Sequence, residues 1–180
     1  MGDAWASQSI DRRPTPHYAH GREGRRPDVV VVHTTAGTYD GTIDWFSRHE
    51  SGVSAHYLVA LDGRVAQFVE ETDTARHAGR VLRPTARLVA ERTDNPNLYT
   101  VGVEFEDGGD PTGAARPEAQ YDAGAWLIAA IAARWEIPLD RDHIVGHGEL
   151  FAAKDCPGNL DVDRLVAQAS GSPAVSGPEA

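Results

Sequence analysis

Lysine is nearly absent from this sequence: Lys154 is the single one, against 16 arginines. A position that keeps a compact ammonium where guanidinium is otherwise the rule points to a role that a bulky planar group cannot fill. Cysteine is equally scarce. With Cys156 alone in 180 residues, an internal disulfide framework is excluded, and the thiol is left as a small buried hydrophobe, a nucleophile or a metal ligand. Long apolar runs are missing too, and the opening MGDAWASQSIDRRPTPHYAHG has no apolar segment behind a basic start. The expectation is a soluble protein with no membrane partner and no classical export signal. Positive charge is in deficit overall. A formal net charge of -10 argues against nucleic acid and anionic surfaces as partners. Arg12, Arg13, Arg22, Arg25 and Arg26 cluster near the N-terminus and read as a solvated arm.

What is present suits one globular domain: at 41% hydrophobic residues the chain can bury a single core, and a monomer is the default assembly. Residues 1–27 read as an irregular N-terminal arm, 28–169 as the folded domain and 170–180 as a disordered tail. VVVVH (29–33) reads as a buried strand closed by a histidine. GTIDWFSRHE predicts a short helix burying Ile43, Trp45 and Phe46 on one face. SAHYLVAL and RVAQFV flank Asp62-Gly63, the dipeptide of a two-residue type I′ hairpin turn. Residues 80–98 form a polar connection, and YTVGVEFE (99–106) a further strand. From Pro117, Tyr121, Gly124, Leu127, Ile128, Ile131 and Trp135 recur at helical spacing. HIVGH (143–147) reads as a short strand and VDRLVAQA as a last helix. Strands mixed with helices, one hairpin among them, predict an α/β fold: a single domain with a central mixed β-sheet flanked by helices.

Two histidines in this pattern end aliphatic runs, where open sheets place ligands. His33 and His147 do so, and Cys156 follows nine positions on, ahead of a turn-forming Pro157-Gly158. Two imidazoles and a thiolate suit zinc with a fourth position left open. The same residues also suit a plainer reading, hydrogen-bonded core histidines and a buried thiol. Alternation in VGVEFE puts Glu104 on one face with Gly102 and Glu106, opposite Val101, Val103 and Phe105; for Glu106 a solvent-facing carboxylate is the simpler reading.

The stretches VVVHTTAGTYDGTIDWF, SGVSAHYLVALDGRVAQFVEE, ARHAG, VGVEFE and IVGHGELFAAKDCPG resemble, in order, the zinc-dependent N-acetylmuramoyl-L-alanine amidases of type 2. That family includes bacteriophage lysozyme-type amidases, cell-wall recycling amidases and peptidoglycan recognition proteins. The resemblance covers residues 28–168 and implies one zinc per chain on His33, His147 and Cys156, with Lys154 on the family's catalytic lysine. Lysozyme-type members carry a tyrosine where this chain has Ala55, just before His56. The recycling branch lacks it too and uses a glutamate that maps to Glu104, but it has an aspartate where this chain keeps Cys156. The implied reaction is hydrolysis of the amide between N-acetylmuramic acid and L-alanine in peptidoglycan or its fragments, with Glu104 moving the proton and Lys154 stabilising the oxyanion. His77, Arg80, Asn97 and His56 are candidate substrate contacts, with His56 also a candidate for orienting a ligand. The implied settings are the cytoplasm or release to the cell wall as a phage endolysin. Two rivals stay open: a cysteine peptidase with Cys156 as nucleophile, and a module that binds muropeptide without cutting it.

Overall fold

The structure, a computed structural model, describes residues 9–171; residues 172–180, most of the expected tail, lie outside the described residues. The chain contributes eight strands: β1 (Ile10–Arg12), β2 (Tyr18–Ala19), β3 (Val29–Thr34), β4 (Tyr57–Val59), β5 (Val65–Gln67), β6 (Thr74–Ala75), β7 (Thr100–Phe105) and β8 (Ile144–Gly146). Six of them form a mixed sheet in the order β1-β5-β4-β7-β3-β8, and β2 pairs with β6 in a small ribbon. Four helices complete the fold: α1 (Tyr39–Ser47), α2 (Arg87–Ala90), α3 (Glu118–Trp135) and α4 (Val162–Gly171).

The run of valines on β3 reflects its place between two parallel neighbours, β7 and β8, with helices over both faces. Val30 and Val32 pack with Val101, Val103 and Phe105 under α3 and α4. Val29 and Val31 face the other way, against Val145, Leu150 and Val89 of α2. His33 continues this second series, and the register sets it beside Glu104 of β7, which in turn pairs with Leu58 of β4. Alternation therefore brings the site residues onto the face that α3 and α4 leave free. On that face α1 packs Tyr39 and Phe46 against Leu58, Ala66 and Phe68, its first turn capped by the Thr38 hydroxyl accepting from the Gly41 N–H.

Several expectations require correction. Residues 1–8 of the expected arm lie outside the described residues, and the rest of it is not wholly irregular: Ile10–Arg12 adds a parallel edge strand to β5. Nor are its arginines all solvated, because Arg22 is 5% exposed and donates to the carbonyls of Glu71, Asn97, Leu98 and Thr100. The hairpin turn has three residues rather than two. The Ala60 N–H donates to the Arg64 carbonyl and the Gly63 N–H to the Ala60 carbonyl, and Gly63 has φ +88 while Asp62 is not in that region. A type I′ turn needs positive φ at both central residues. Trp45 is 43% exposed, since Tyr39, Thr42 and Phe46 form the buried stripe of α1. Glu106 is no free carboxylate: it accepts from the backbone N–H groups of Tyr39 and Leu61, tying α1 to the hairpin loop. The last helix reaches Gly171, so the domain runs past the expected boundary at 169.

Candidate metal centre and active site

His33 ends β3, and His147 opens the short 3-10 turn His147–Glu149 that follows β8. Glu149 fixes this turn by accepting from the Gly146 N–H and pairing with Arg141. Cys156 is brought back to the same rim by the bond from the Gly148 N–H to its carbonyl, 2.7 Å. A side chain at Gly148 would put Cβ 2.7 Å from the Lys154 carbonyl oxygen, so glycine is what lets the two loops lie together. The sulfur accepts from the Thr34 N–H at 3.2 Å. One ligand atom from each of His33, His147 and Cys156 lies within 4.8 Å of the others.

Hydrogen bonding fixes which ring nitrogens carry protons. Thr100 donates its hydroxyl to the Pro96 carbonyl at 2.7 Å, so its oxygen accepts from Nε2–H of His77 at 3.0 Å. Nδ1 of His77 is then an acceptor for Nε2–H of His33, 3.0 Å away. Nε2 of His147 faces the Ala78 carbonyl at 3.2 Å and must also donate. Both rings therefore turn unprotonated Nδ1 atoms to one another across 3.0 Å. Two lone pairs at that distance repel unless a cation lies between them, and two imidazoles with a thiol are a donor set suited to zinc. Electrostatics agrees. Burial, then the neighbouring His77, His147 and Lys154, holds His33 well below the usual imidazole range, and burial lowers His147. Metal ligation needs neutral rings of this kind.

Beside this centre stands Glu104. Its carboxyl is pushed up to about 8, first by burial and then by Asp107, with Lys154 opposing. Its Oε2 is buried and has no hydrogen-bond partner among the described residues. Lys154 is exposed, and its charge acts on His33, His147, Glu104 and Cys156. A groove of about 620 Å³ leads away from Glu104 along α1, past Thr38, Thr42, Trp45 and Val53. Its entrance loop is held by Asp107, whose carboxylate accepts from the N–H groups of Ala36, Gly37 and Gly109. Neither this groove nor the Asp107 anchor was legible in the sequence, where Trp45 reads as part of the buried face of its helix.

The candidate substrate contacts fare differently. His56 is fully buried, with Nδ1 accepting from the Gly102 N–H at 3.0 Å and Nε2 against Arg22 and the Asp73 carbonyl; it packs the interior and is out of a substrate's reach. His77 is enclosed between His33 and Thr100 rather than turned to the groove. Asn97 spends its Oδ1 on the N–H groups of His77 and Ala78. Arg80 alone of the four is exposed.

This mixed α/β domain brings together a His-His-Cys group that could hold a metal ion, beside the carboxyl of Glu104. A family model described as N-acetylmuramoyl-L-alanine amidase matches residues 23–159. The chain is 34% identical to N-acetylmuramoyl-L-alanine amidase A of Achromobacter lyticus over 139 residues, 68% of this chain and 70% of that protein. With the 1,6-anhydro-N-acetylmuramyl-L-alanine amidase AmpD of Citrobacter freundii it shares 28% over 165 residues, 82% and 81% of the two chains. Its fold matches the crystal structure of a selenomethionine AmpD derivative with a TM-score of 0.72 at 24% identity, covering 93% of this chain and 98% of that one. The amidase AmiD of E. coli, solved with anhydro-N-acetylmuramic acid-L-Ala-D-γ-Glu-L-Lys, matches with a TM-score of 0.63 at 28% identity, over 83% of this chain and 58% of that one. The chain belongs to the N-acetylmuramoyl-L-alanine amidase family.

Proposed function

We propose that this protein hydrolyses the amide between the lactyl group of N-acetylmuramic acid and L-alanine in peptidoglycan or muropeptides, with one zinc ion held by His33, His147 and Cys156. The observation that carries this reading is the pair of imidazole Nδ1 atoms facing one another 3.0 Å apart, with the Cys156 sulfur beside them. Zinc, when bound, supplies a Lewis acid that makes water nucleophilic near neutrality and polarises a carbonyl. Glu104 is the group that moves the proton: its carboxylate form takes it from the attacking water and returns it to the departing alanine nitrogen. Lys154 meets the negative charge that develops on the carbonyl oxygen, a contribution of about 3 kcal/mol for one well-placed donor. The groove along α1 receives the substrate beside Glu104.

A cysteine peptidase fits less well. Burial and then Glu104 push the Cys156 thiol up to about 12, whereas a nucleophilic cysteine needs its thiolate favoured. A carboxyl with one buried, unpartnered oxygen beside the histidine cluster favours a catalytic site over a module that only binds. The protein acts as a monomer in this reading: among the described residues only Trp45, Val53 and Leu82 are large exposed apolar side chains, and two of them line the groove. No helix among the described residues is long and apolar enough to cross a membrane, which accords with work either in the cytoplasm or, after release, on the wall. Mass spectrometry of digests tests the reaction. Free stem peptides beginning at L-alanine are the expected products, and peptides cut internally, or no release after long incubation, would contradict it. Parallel digests of intact peptidoglycan and of anhydro-muropeptides separate a lytic enzyme from a recycling one.

A further inference from the structure

His77 and Ala78 are adjacent in the chain, and each touches a different histidine of the metal centre. His77 presents Nδ1 to Nε2–H of His33 at 3.0 Å, and Ala78 presents its carbonyl to Nε2–H of His147 at 3.2 Å. Three features hold this dipeptide still. Asn97 accepts from both of its backbone N–H groups, at 3.1 and 2.9 Å. Thr100 accepts from the far side of the His77 ring. Gly102 leaves the space the ring occupies, since a Cβ there would lie 2.4 Å from His77 Cγ. Behind them Arg22 binds the carbonyls of Asn97 and Thr100, so the supports are themselves braced.

We propose that His77-Ala78 is a single positioning clamp for both imidazoles of the metal centre, fixing each ring with its Nδ1 lone pair toward the metal, and that Asn97 sets the clamp. This rests on His33 and His147 being the metal ligands. An acceptor on the outer nitrogen of a ligating histidine fixes its tautomer and orientation, and its loss typically weakens metal binding about 10- to 100-fold. Here one short segment does this for two ligands, so its displacement loosens both together. His77, Ala78 and Asn97 touch no substrate in this account.

The test is zinc affinity of the full chain, measured by competition with a chromogenic chelator and needing no substrate, together with the visible spectrum of the cobalt-loaded protein. His77→Leu removes the acceptor, whereas His77→Asn places an amide oxygen where Nδ1 stood. The clamp predicts that zinc binding weakens about 10- to 100-fold in His77→Leu with an altered cobalt spectrum, and that His77→Asn recovers most of both. Asn97→Ala and Asn97→Asp, at a half-buried position outside the core, repeat the comparison without altering the ring: loss in the first and retention in the second are expected. Wild-type affinity in both His77→Leu and Asn97→Ala overturns the clamp, as does an equal loss in His77→Leu and His77→Asn. A wild-type protein that takes up no zinc overturns the ligand assignment itself, and the clamp with it.

Discussion

Glu104 lines the groove with one carboxyl oxygen, Oε2, buried and without a hydrogen-bond partner among the described residues, and that placement is costly to the fold and useful to the chemistry. Its folded pKa, about 8, lies above the ordinary carboxyl value of 4.5, so the fold favours the protonated form. Stability due to this group is therefore present below about 4.5 and lost as pH rises through 8, by up to about 1.4 kcal/mol per unit of pH. Glu104→Gln removes both the penalty and the base. Its activity should fall about 10²- to 10⁴-fold, while in metal-free protein its urea midpoint should exceed that of the wild type by a margin that widens from pH 5 to pH 8. A margin that stays constant across that range would show Glu104 to be solvated. Two such positions were legible in the sequence for different reasons. Strand alternation alone put Glu104 on one face of VGVEFE, and the rarity of lysine singled out Lys154. His77 and Asn97 were read as candidate substrate contacts, whereas in the fold they meet His33, Thr100 and backbone N–H groups, and no spacing rule encodes which atoms a side chain meets.

Secondary structure was legible where a segment repeats its burial pattern. The valines of β3 and the apolar stripe of α3 each bury several side chains in register, so periodicity exposes them. Ile10–Arg12 has only three residues and pairs with β5 across a separation of 55 positions, Ile10 to Val65, and no local pattern announces such a strand. The hairpin was read correctly but its turn was not, because Asp-Gly also serves the three-residue loop with a single positive φ. Within α3, Gly124 marks a contact rather than a weak point: a Cβ there would lie 2.5 Å from Phe105 Cε1 and 3.2 Å from Leu165 Cδ2. Gly124→Ala would gain about 1 kcal/mol of helix propensity in an exposed helix, but here overpacking should cost about 1–3 kcal/mol. Chemical denaturation should thus find the variant less stable than wild type; a more stable one would mean that α3 does not press on β7 as closely as described.

At the scale of the whole molecule, four imidazoles, those of His33, His56, His77 and His147, pack ring against ring in one cluster, and burial is the first cause lowering each of them. Their folded pKa values lie below 6.5, so the stability they contribute is present above pH 6.5 and is lost as pH falls. Glu104 works in the opposite direction over this range, but it is one group against four. Metal-free protein should therefore melt at progressively lower temperature between pH 7 and pH 5, and a flat profile would show that the imidazoles do not share a dry interior. The same face carries the candidate metal centre: strand ends and a lone thiol already singled out His33, His147 and Cys156, the five stretches read together implied them as a set, and their convergence within 4.8 Å is a property of the sheet order. The most direct check on that convergence is the metal content of protein purified without added zinc. One zinc per chain, with activity lost to a chelator and restored by zinc, is the predicted result. Full hydrolysis of the muramyl amide by protein shown to contain no metal would contradict it.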